Sequence, residues 1–300
     1  MFKIAWNQLY CHPLPDAHRF PMEKYNSLPE QLLYEGTVMN SQFIYPTEVD
    51  DRIILLTHSQ DYLNKLNQLS LSASEIRRIG FPLTSSLVAR EKVIMQGTID
   101  ASIYALKDGI AFNIAGGTHH AFTNKGEGFC LLNDIAIAAN YLLNMHLVKQ
   151  ILVVDLDVHQ GNGTAQIFEN EPKVFTFSMH GKKNYPIRKE QSDLDIELED
   201  FTDDQTYLKL LDEHLKQLIA QVKPDFIFYQ AGVDVLAEDK LGRLSLTIDG
   251  CKERDQIVLS TCKLYNIPVS INMGGGYAPN LNTIVNAHAN TFRLASDIYC

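Results

Sequence analysis

From about residue 84 onward, stretches with apolar residues at helical spacing alternate with short, continuous apolar runs. Residues 84–107 (TSSLVAREKVIMQGTIDASIYALK) carry the helical spacing and Gly109 ends them; IAFNIAGG (110–117) follows as a strand entering a loop. Residues 133–146 (NDIAIAANYLLNMH) predict a second helix, with Asn133 and Asp134 as its caps. QILVVDLD (150–157) is continuous and β-branched, as expected of a strand buried on both faces. The alternation continues with a strand at 174–179 (VFTFSM), a helix at 204–222 stopped by Pro224, and a strand at 225–232 (DFIFYQAG). A mostly helical stretch at 247–266 and a strand at 267–276 (IPVSINMGGG) that runs into a glycine turn complete it. The first 83 residues are less regular: RIILLTH (52–58) reads as an early strand, and the rest as loops and short helices packed on the sheet. The pattern predicts an α/β fold with a central, mostly parallel sheet of about eight strands and helices on both faces. Ligands of such sheets bind beyond the carboxyl ends of the strands.

With 300 residues, no low-complexity linker and no repeat of fixed period, the chain reads as one domain over 1–300. A hydrophobic content of 45% with 21% charged residues excludes wholesale disorder. The 26 Lys and Arg against 36 Asp and Glu give a net charge of −10, which disfavours nucleic acid and makes a basic peptide the better-matched partner. No run of eighteen apolar residues predicts a membrane span, and the first 14 residues lack an apolar signal stretch. Cys11, Cys130, Cys251, Cys262 and Cys300 are scattered, without C-x-x-C spacing. They read as reduced thiols, so a cytoplasmic location is expected. Nothing in the pattern predicts an oligomeric state.

Chemistry-bearing residues cluster at the predicted strand ends: AGGTHHA (115–121), DLDVHQGNG (155–163), SMHG (178–181), AGVDVLAED (231–239) and MGGGY (273–277). Asp157 and His159, two apart in extended backbone, point to the same side, and Asp234 leaves another strand. Two carboxylates and one imidazole suit a borderline divalent cation such as zinc; iron(II) or cobalt stays open. Three protein ligands also leave a position for water or substrate. Neutral His is a suitable general base near pH 7, which makes His119 and His120 candidates; Asp155 and Asn162 are the groups available to orient the two rings. Tyr277, after three glycines, is placed to donate to a developing oxyanion. Phe129 and Tyr185 are candidate apolar walls.

These residues, together with DAHRFPMEKY (16–25), GEGFCLLNDIAIAA (126–139) and AGVDVLAEDKLGRLSLT (231–247), resemble the histone deacetylase family within the wider arginase–deacetylase fold. The stretch 178–198 is most similar to the compact class IV and bacterial branch. The resemblance implies one zinc on Asp157, His159 and Asp234, with His119 backed by Asp155 and His120 by Asn162, and Tyr277 polarising the acyl carbonyl. It implies an acyl-lysine tunnel between Phe129 and Tyr185, a substrate amide received by the Gly128 carbonyl, and Gly275 at the substrate site. It also implies a structural potassium ion on Asp155, Asp157, His159, Ser178 and Met179, partly through backbone oxygens. Arg19 resembles an arginine lining an inner acetate-release pocket. Two departures stand out: Asn162 replaces the Asp of class I enzymes, and residues 76–99 contain no Asp to serve as the class I rim residue.

The implied reaction is hydrolysis of an N-acyl-lysine amide of a protein or peptide, the acyl group being acetyl or longer. Acetylated polyamines or other small acylated amines are the alternative, since a cationic tail suits the acidic charge balance. A two-manganese ureohydrolase is disfavoured because its D-x-H-x-D pattern meets Gly161 here, and because Val235 and Leu236 follow Asp234. A silent acyl-lysine binding module is disfavoured because every proposed catalytic position is filled.

Overall fold

The computed structural model describes residues 1–16 and 18–300. In chain order the regular elements are β1 (Lys3–Ala5), α1 (Lys24–Tyr34), β2 (Phe43–Ile44), α2 (Asp51–Ile54), α3 (Gln60–Asn67), α4 (Ala73–Ile79), α5 (Ser85–Asp108), β3 (Ile110–Asn113) and α6 (Asp134–Asn144). They continue with β4 (Ile151–Asp155), α7 (Asn162–Phe168), β5 (Val174–Gly181), β6 (Leu194–Leu198), α8 (Asp204–Val222), β7 (Phe226–Gln230), α9 (Ile248–Tyr265), β8 (Val269–Asn272) and α10 (Leu281–Tyr299).

The eight strands form one sheet in the order β2-β1-β3-β8-β7-β4-β5-β6, and every pairing is parallel. Strands β3, β4, β7 and β8 are buried at every position, which explains their unbroken apolar sequences. One helix group, α5 with α6, packs on β1, β3 and β8; a second group joins α1 to α10, α10 to α9 and α9 to α8. The expected fold class is therefore observed, with the sheet wholly rather than mostly parallel.

The helices start where the caps predict. The side chain of Thr84 accepts from the N–H of Leu87 to open α5, and Asn133 accepts from Ala136 to open α6. Gly109 closes α5 in the left-handed conformation (φ 86°) that its lack of Cβ permits.

Four local expectations are corrected. RIILLTH (52–58) is not a strand: α2 covers Asp51–Ile54 and a turn follows, because Asp50 caps the N–H of Arg52. The N-terminal region supplies two strands of its own, β1 and β2, at one edge of the sheet. Ser178–Gly181 lie within β5 rather than beyond its end. The opposite edge strand, β6, had no counterpart among the expected elements.

The turn after α2 has a structural role. His58 is buried; its Nδ1–H donates to the carbonyl of Phe122 (2.9 Å), and its Nε2 accepts from the N–H of Asn133 (3.0 Å). The bond accepted at Nε2 requires the neutral ring, and burial pushes its pKa down to about 4. Unfolded His titrates near 6.5, so protonation favours the unfolded chain as pH falls from about 6.5 towards 4. Over that window His58 should cost about 3 kcal/mol of stability. Urea unfolding of wild type and His58→Gln at pH 7, 5.5 and 4.5 checks this: the variant should lose stability less steeply with acid, and equal slopes would assign the acid sensitivity elsewhere.

Candidate active site

Four strands adjacent in the sheet, β3, β8, β7 and β4, end on the same side and carry the candidate residues on the segments that follow them. Asp155 closes β4, in register with Gln230, the last residue of β7. Asp157 and Asp234, two and four residues beyond, are thereby brought together. One ligand atom from each of Asp157, His159 and Asp234 lies within 4.8 Å of the others, all three residues being buried. His159 Nδ1 is 3.0 Å from Asp157 Oδ1 and 3.1 Å from Asp234 Oδ2. The remaining carboxylate oxygens are held by backbone: the N–H of Gly275 donates to Asp157 Oδ2 (2.7 Å) and that of Val158 to Asp234 Oδ1 (2.9 Å).

This donor set fits a divalent cation on its own chemistry. Two carboxylates buried side by side repel, and burial together with Asp157 raises Asp234 to about 7. Burial opposes charge on His159, yet hydrogen bonds to Asp157 and Asp234 outweigh it and lift the ring to about 10. The pocket thus draws positive charge to the point shared by the three ligands. The combination of oxygen and nitrogen donors matches zinc and its borderline neighbours.

The two imidazoles stand beside this cluster. His119 and His120 have ring centroids 4.1 Å apart, and His119 Nε2 is 3.9 Å from Asp157 Oδ1. His119 Nδ1 pairs with Asp155 Oδ2 at 2.7 Å, and His120 Nδ1 donates to Asn162 Oδ1 at 2.7 Å. The carboxylate partner decides their electrostatics. Burial works against charge on His119, but Asp155 and Asp157 prevail and raise it to about 9. His120, backed by a neutral amide, is driven well below its ordinary value by burial and by His119 and His159. Their loop is pinned from below: Asp134 accepts from the N–H of Thr118 (2.8 Å), Gln230 donates to the carbonyl of Gly117 (2.8 Å) and Asn133 to that of Ala121 (3.1 Å).

Tyr277 completes the ring of groups, its centroid 6.4 Å from that of His159. Burial keeps its phenol well above the ordinary range, so it holds its proton at neutral pH. Phe129 packs 6.1 Å from it, and Tyr185 sets its ring edge-on to His120 at 4.9 Å. Gly128, at φ +52°, has no room for a side chain, because a Cβ there would lie 2.7 Å from His120 Cδ2. Asp155 stands beside Ser178 across the β4–β5 pairing, with Met179 next along the strand. At Gly161 a Cβ would strike Asp155, so the third carboxylate of the ureohydrolase pattern has no room there.

An outer vestibule of about 400 Å³, lined by Arg19, Arg78, Phe129, Lys183, Tyr185 and Arg243 among others, leads to His120, His159 and Tyr277. Beneath it lies an inner cavity of about 40 Å³ that reaches Tyr25, Arg90, Cys130 and Gly275. Arg19 is therefore at the outer mouth and not at the inner pocket. The inner arginine is Arg90, because the neighbouring Phe20 takes the inward position against Phe81, Phe129 and Tyr277.

Two further supports had no individual signal in the sequence. Lys24 is fully buried, donates to the carbonyl of Gly274 (3.0 Å) and lies over the rings of Phe20, Tyr25 and Tyr277; burial pushes it down to about 8 against the pull of Asp234 and Asp157. Asp239 accepts from the N–H of Tyr277 (2.6 Å) and fixes where the phenol enters. Both lie inside stretches that carry the family resemblance, but only the tertiary structure turns them towards the glycine turn.

Comparison with known proteins places the chain in a family. The histone deacetylase domain model matches residues 18–292, and the chain belongs to that family. It is 45% identical over 299 residues to an uncharacterized protein of Picosynechococcus, covering 99% of each chain. It is 30% identical to histone deacetylase 2 of Arabidopsis thaliana, over 87% of this chain and 70% of that one. It is 27% identical to the acetoin utilization protein AcuC of Staphylococcus xylosus, over 90% and 76%. Among solved structures, a histone deacetylase homologue complexed with SAHA superposes with a TM-score of 0.85 at 23% identity, over 99% of this chain and 84% of that one, a likeness of fold. The chain is thus a hydrolase of the histone deacetylase family.

Gly275 tests the metal cluster. A Cβ there would collide with Asp234 Oδ2 and crowd Asp157, disturbing two ligands at once. Gly275→Ala should weaken zinc binding on the order of 10–100-fold. Chelator competition reads this loss, with circular dichroism as the control for folding; unchanged affinity would place the metal elsewhere.

Proposed function

We propose that this protein is a zinc-dependent amidohydrolase that removes acyl groups, acetyl first among them, from the side-chain nitrogen of N-acyl-lysine. The observation that carries this reading is the convergence of Asp157, His159 and Asp234 at the foot of the vestibule, facing His119, His120 and Tyr277. Zinc bound by the three ligands would supply Lewis acidity towards the acyl carbonyl and lower the pKa of a water.

The chain's own groups account for the rest. The His120 Nδ1–H is committed to Asn162, which leaves Nε2 with its lone pair to accept a proton from the attacking water. His119, paired with Asp155, steadies the positive charge that then develops on the imidazole pair, and from this pair a proton passes to the leaving amine. Tyr277 Oη–H donates to the carbonyl oxygen as it becomes an oxyanion. Phe129 and Tyr185 would hold the apolar stem of the lysine, and the carbonyl of Gly128 would receive its amide N–H. A potassium ion on Asp155, Ser178 and Met179 belongs to the same proposal, supported by the register that sets Asp155 beside Ser178. The unpaired cysteines suit a reducing compartment, and we assign the protein to the cytoplasm on that ground.

Hydrolysis of an acetyl-lysine peptide, followed with and without chelation and zinc repletion, tests the reading. Activity should vanish on chelation and return with zinc. Tyr277→Phe should lower kcat by on the order of 100-fold with little change in KM, the loss of one oxyanion donor. Full activity in the stripped protein, or in Tyr277→Phe, would contradict the mechanism.

A further inference from the structure

The net charge of −10 gives the wrong sign for the mouth of the site. Four basic residues line the vestibule, Arg19, Arg78, Lys183 and Arg243, and no Asp or Glu does so among the described residues. All four are exposed. They come from separate segments: the loop before α1, the end of α4, the loop between β5 and β6, and the loop after β7. Arg78 falls in the stretch 76–99, where class I enzymes supply an acid.

The two acids that pair with these bases are largely covered, and the exposed Glu199 close to Lys183 is taken up by Lys182 (2.8 Å). Glu127, 12% exposed, accepts from Lys125 (2.8 Å) and from the hydroxyl of Tyr185 (2.8 Å), and is 3.9 Å from Arg78. Asp200, 17% exposed, pairs with Arg243 (2.8 Å) and is shared with Lys183 (3.5 Å). Arg19 makes no ion pair among the described residues; its guanidinium lies 4.9 Å above the centroid of Phe129, the wall that leads to the reacting groups. Among the described residues these two carboxylates thus pair with four cations, Lys125 included, and Arg19 is left over as a fifth. Screening over about 8 Å at physiological ionic strength hides the acidic remainder of the surface from a bound substrate. The local field, which is positive, decides what enters.

We propose that the substrate carries an anionic group on the amine side of the scissile amide, close enough to be read by Arg19, Arg78, Lys183 and Arg243. The group is a carboxylate, from acidic residues flanking an acyl-lysine or from the α-carboxylate of a small N-acyl amine. Arginine suits the role because its planar fork matches a carboxylate. The same field weighs against an acetylated polyamine, whose cationic tail would meet four like charges. The proposal rests on the deacylase reading above for the position of the scissile bond.

The test compares kcat/KM of zinc-loaded enzyme on three acetyl-lysine peptides whose flanking residues are Glu, Gln or Arg. Free Nε-acetyl-lysine against its α-amide, and acetylspermidine, complete the set. The Glu-flanked peptide should exceed the Arg-flanked one by on the order of tenfold or more at low salt, and the ratio should shrink in 0.5 M NaCl. Arg19→Gln combined with Lys183→Gln should bring the ratio to within about threefold. Both side chains are exposed and Asp200 keeps Arg243, so folding is not at stake. A preference for free acetyl-lysine over its amide, without one among the peptides, would identify the small-molecule source. Anisotropy of fluorescein-labelled peptides measures binding independently of turnover. If no peptide is hydrolysed but the Glu-flanked one binds best, the mouth proposal stands and the deacylase reading falls. Hydrolysis with Glu and Arg peptides within twofold, or a preference for acetylspermidine, would overturn the mouth proposal and leave the deacylase reading intact.

Discussion

Two carboxylates buried against one imidazole set the terms for the rest of this structure. Asp157 and Asp234 are held almost wholly out of water and share His159 between them. Such a cluster is unfavourable unless positive charge compensates it and every remaining lone pair finds a donor. The sheet supplies both conditions. Because β4 and β7 are neighbours in register, their extensions bring the two acids together, and the glycine turn after β8 brings the N–H of Gly275 to Asp157. The turn is anchored in its own right by Lys24 on the Gly274 carbonyl and by Asp239 on the Tyr277 N–H. The Asp157–His159–Asp234 cluster, Tyr277 and their supports therefore form one packed unit.

A second consequence is the division of labour between two adjacent histidines. His119 and His120 share a loop and nearly a surface, yet one is paired with a carboxylate and the other with an amide. Burial works against charge on both rings: Asp155 and Asp157 overcome it at His119, whereas at His120 it is reinforced by His119 and His159 and the neutral Asn162 does not offset it. The loop thereby has one ring suited to holding charge and one suited to accepting a proton.

Much of this was legible in the sequence. The buried strands β4, β5 and β7 announce themselves as continuous apolar runs, and the helices α5, α6, α8 and α9 by spacing and caps. Most of the candidate site residues were legible because they lie at or just beyond a strand end, and the structure gathers Asp157, His159, Asp234, His119, His120 and Tyr277 at one rim. What escaped did so for physical reasons. Strands of two or three residues, such as β1 and β2, are too short to show a period. Strand β6 (LDIEL) is an edge strand, whose charged residues mask it. The short apolar run at 52–58 is ambiguous between strand and helical turn, and a single Asp50 cap decided it. Burial of Lys24, the exchange of Arg19 for Arg90 at the inner cavity and the basic mouth depend on which segments meet in space. A net charge, summed over the whole surface, carries no information on that.

The central claim is that Asp157, His159 and Asp234 surround one divalent ion. Crystals of zinc-loaded protein, measured on both sides of the zinc absorption edge, test it most directly. A single strong anomalous peak per chain is expected at the junction of an Asp157 oxygen, His159 Nδ1 and an Asp234 oxygen. A peak at any other position, or none at that junction with zinc present in solution, would contradict the claim.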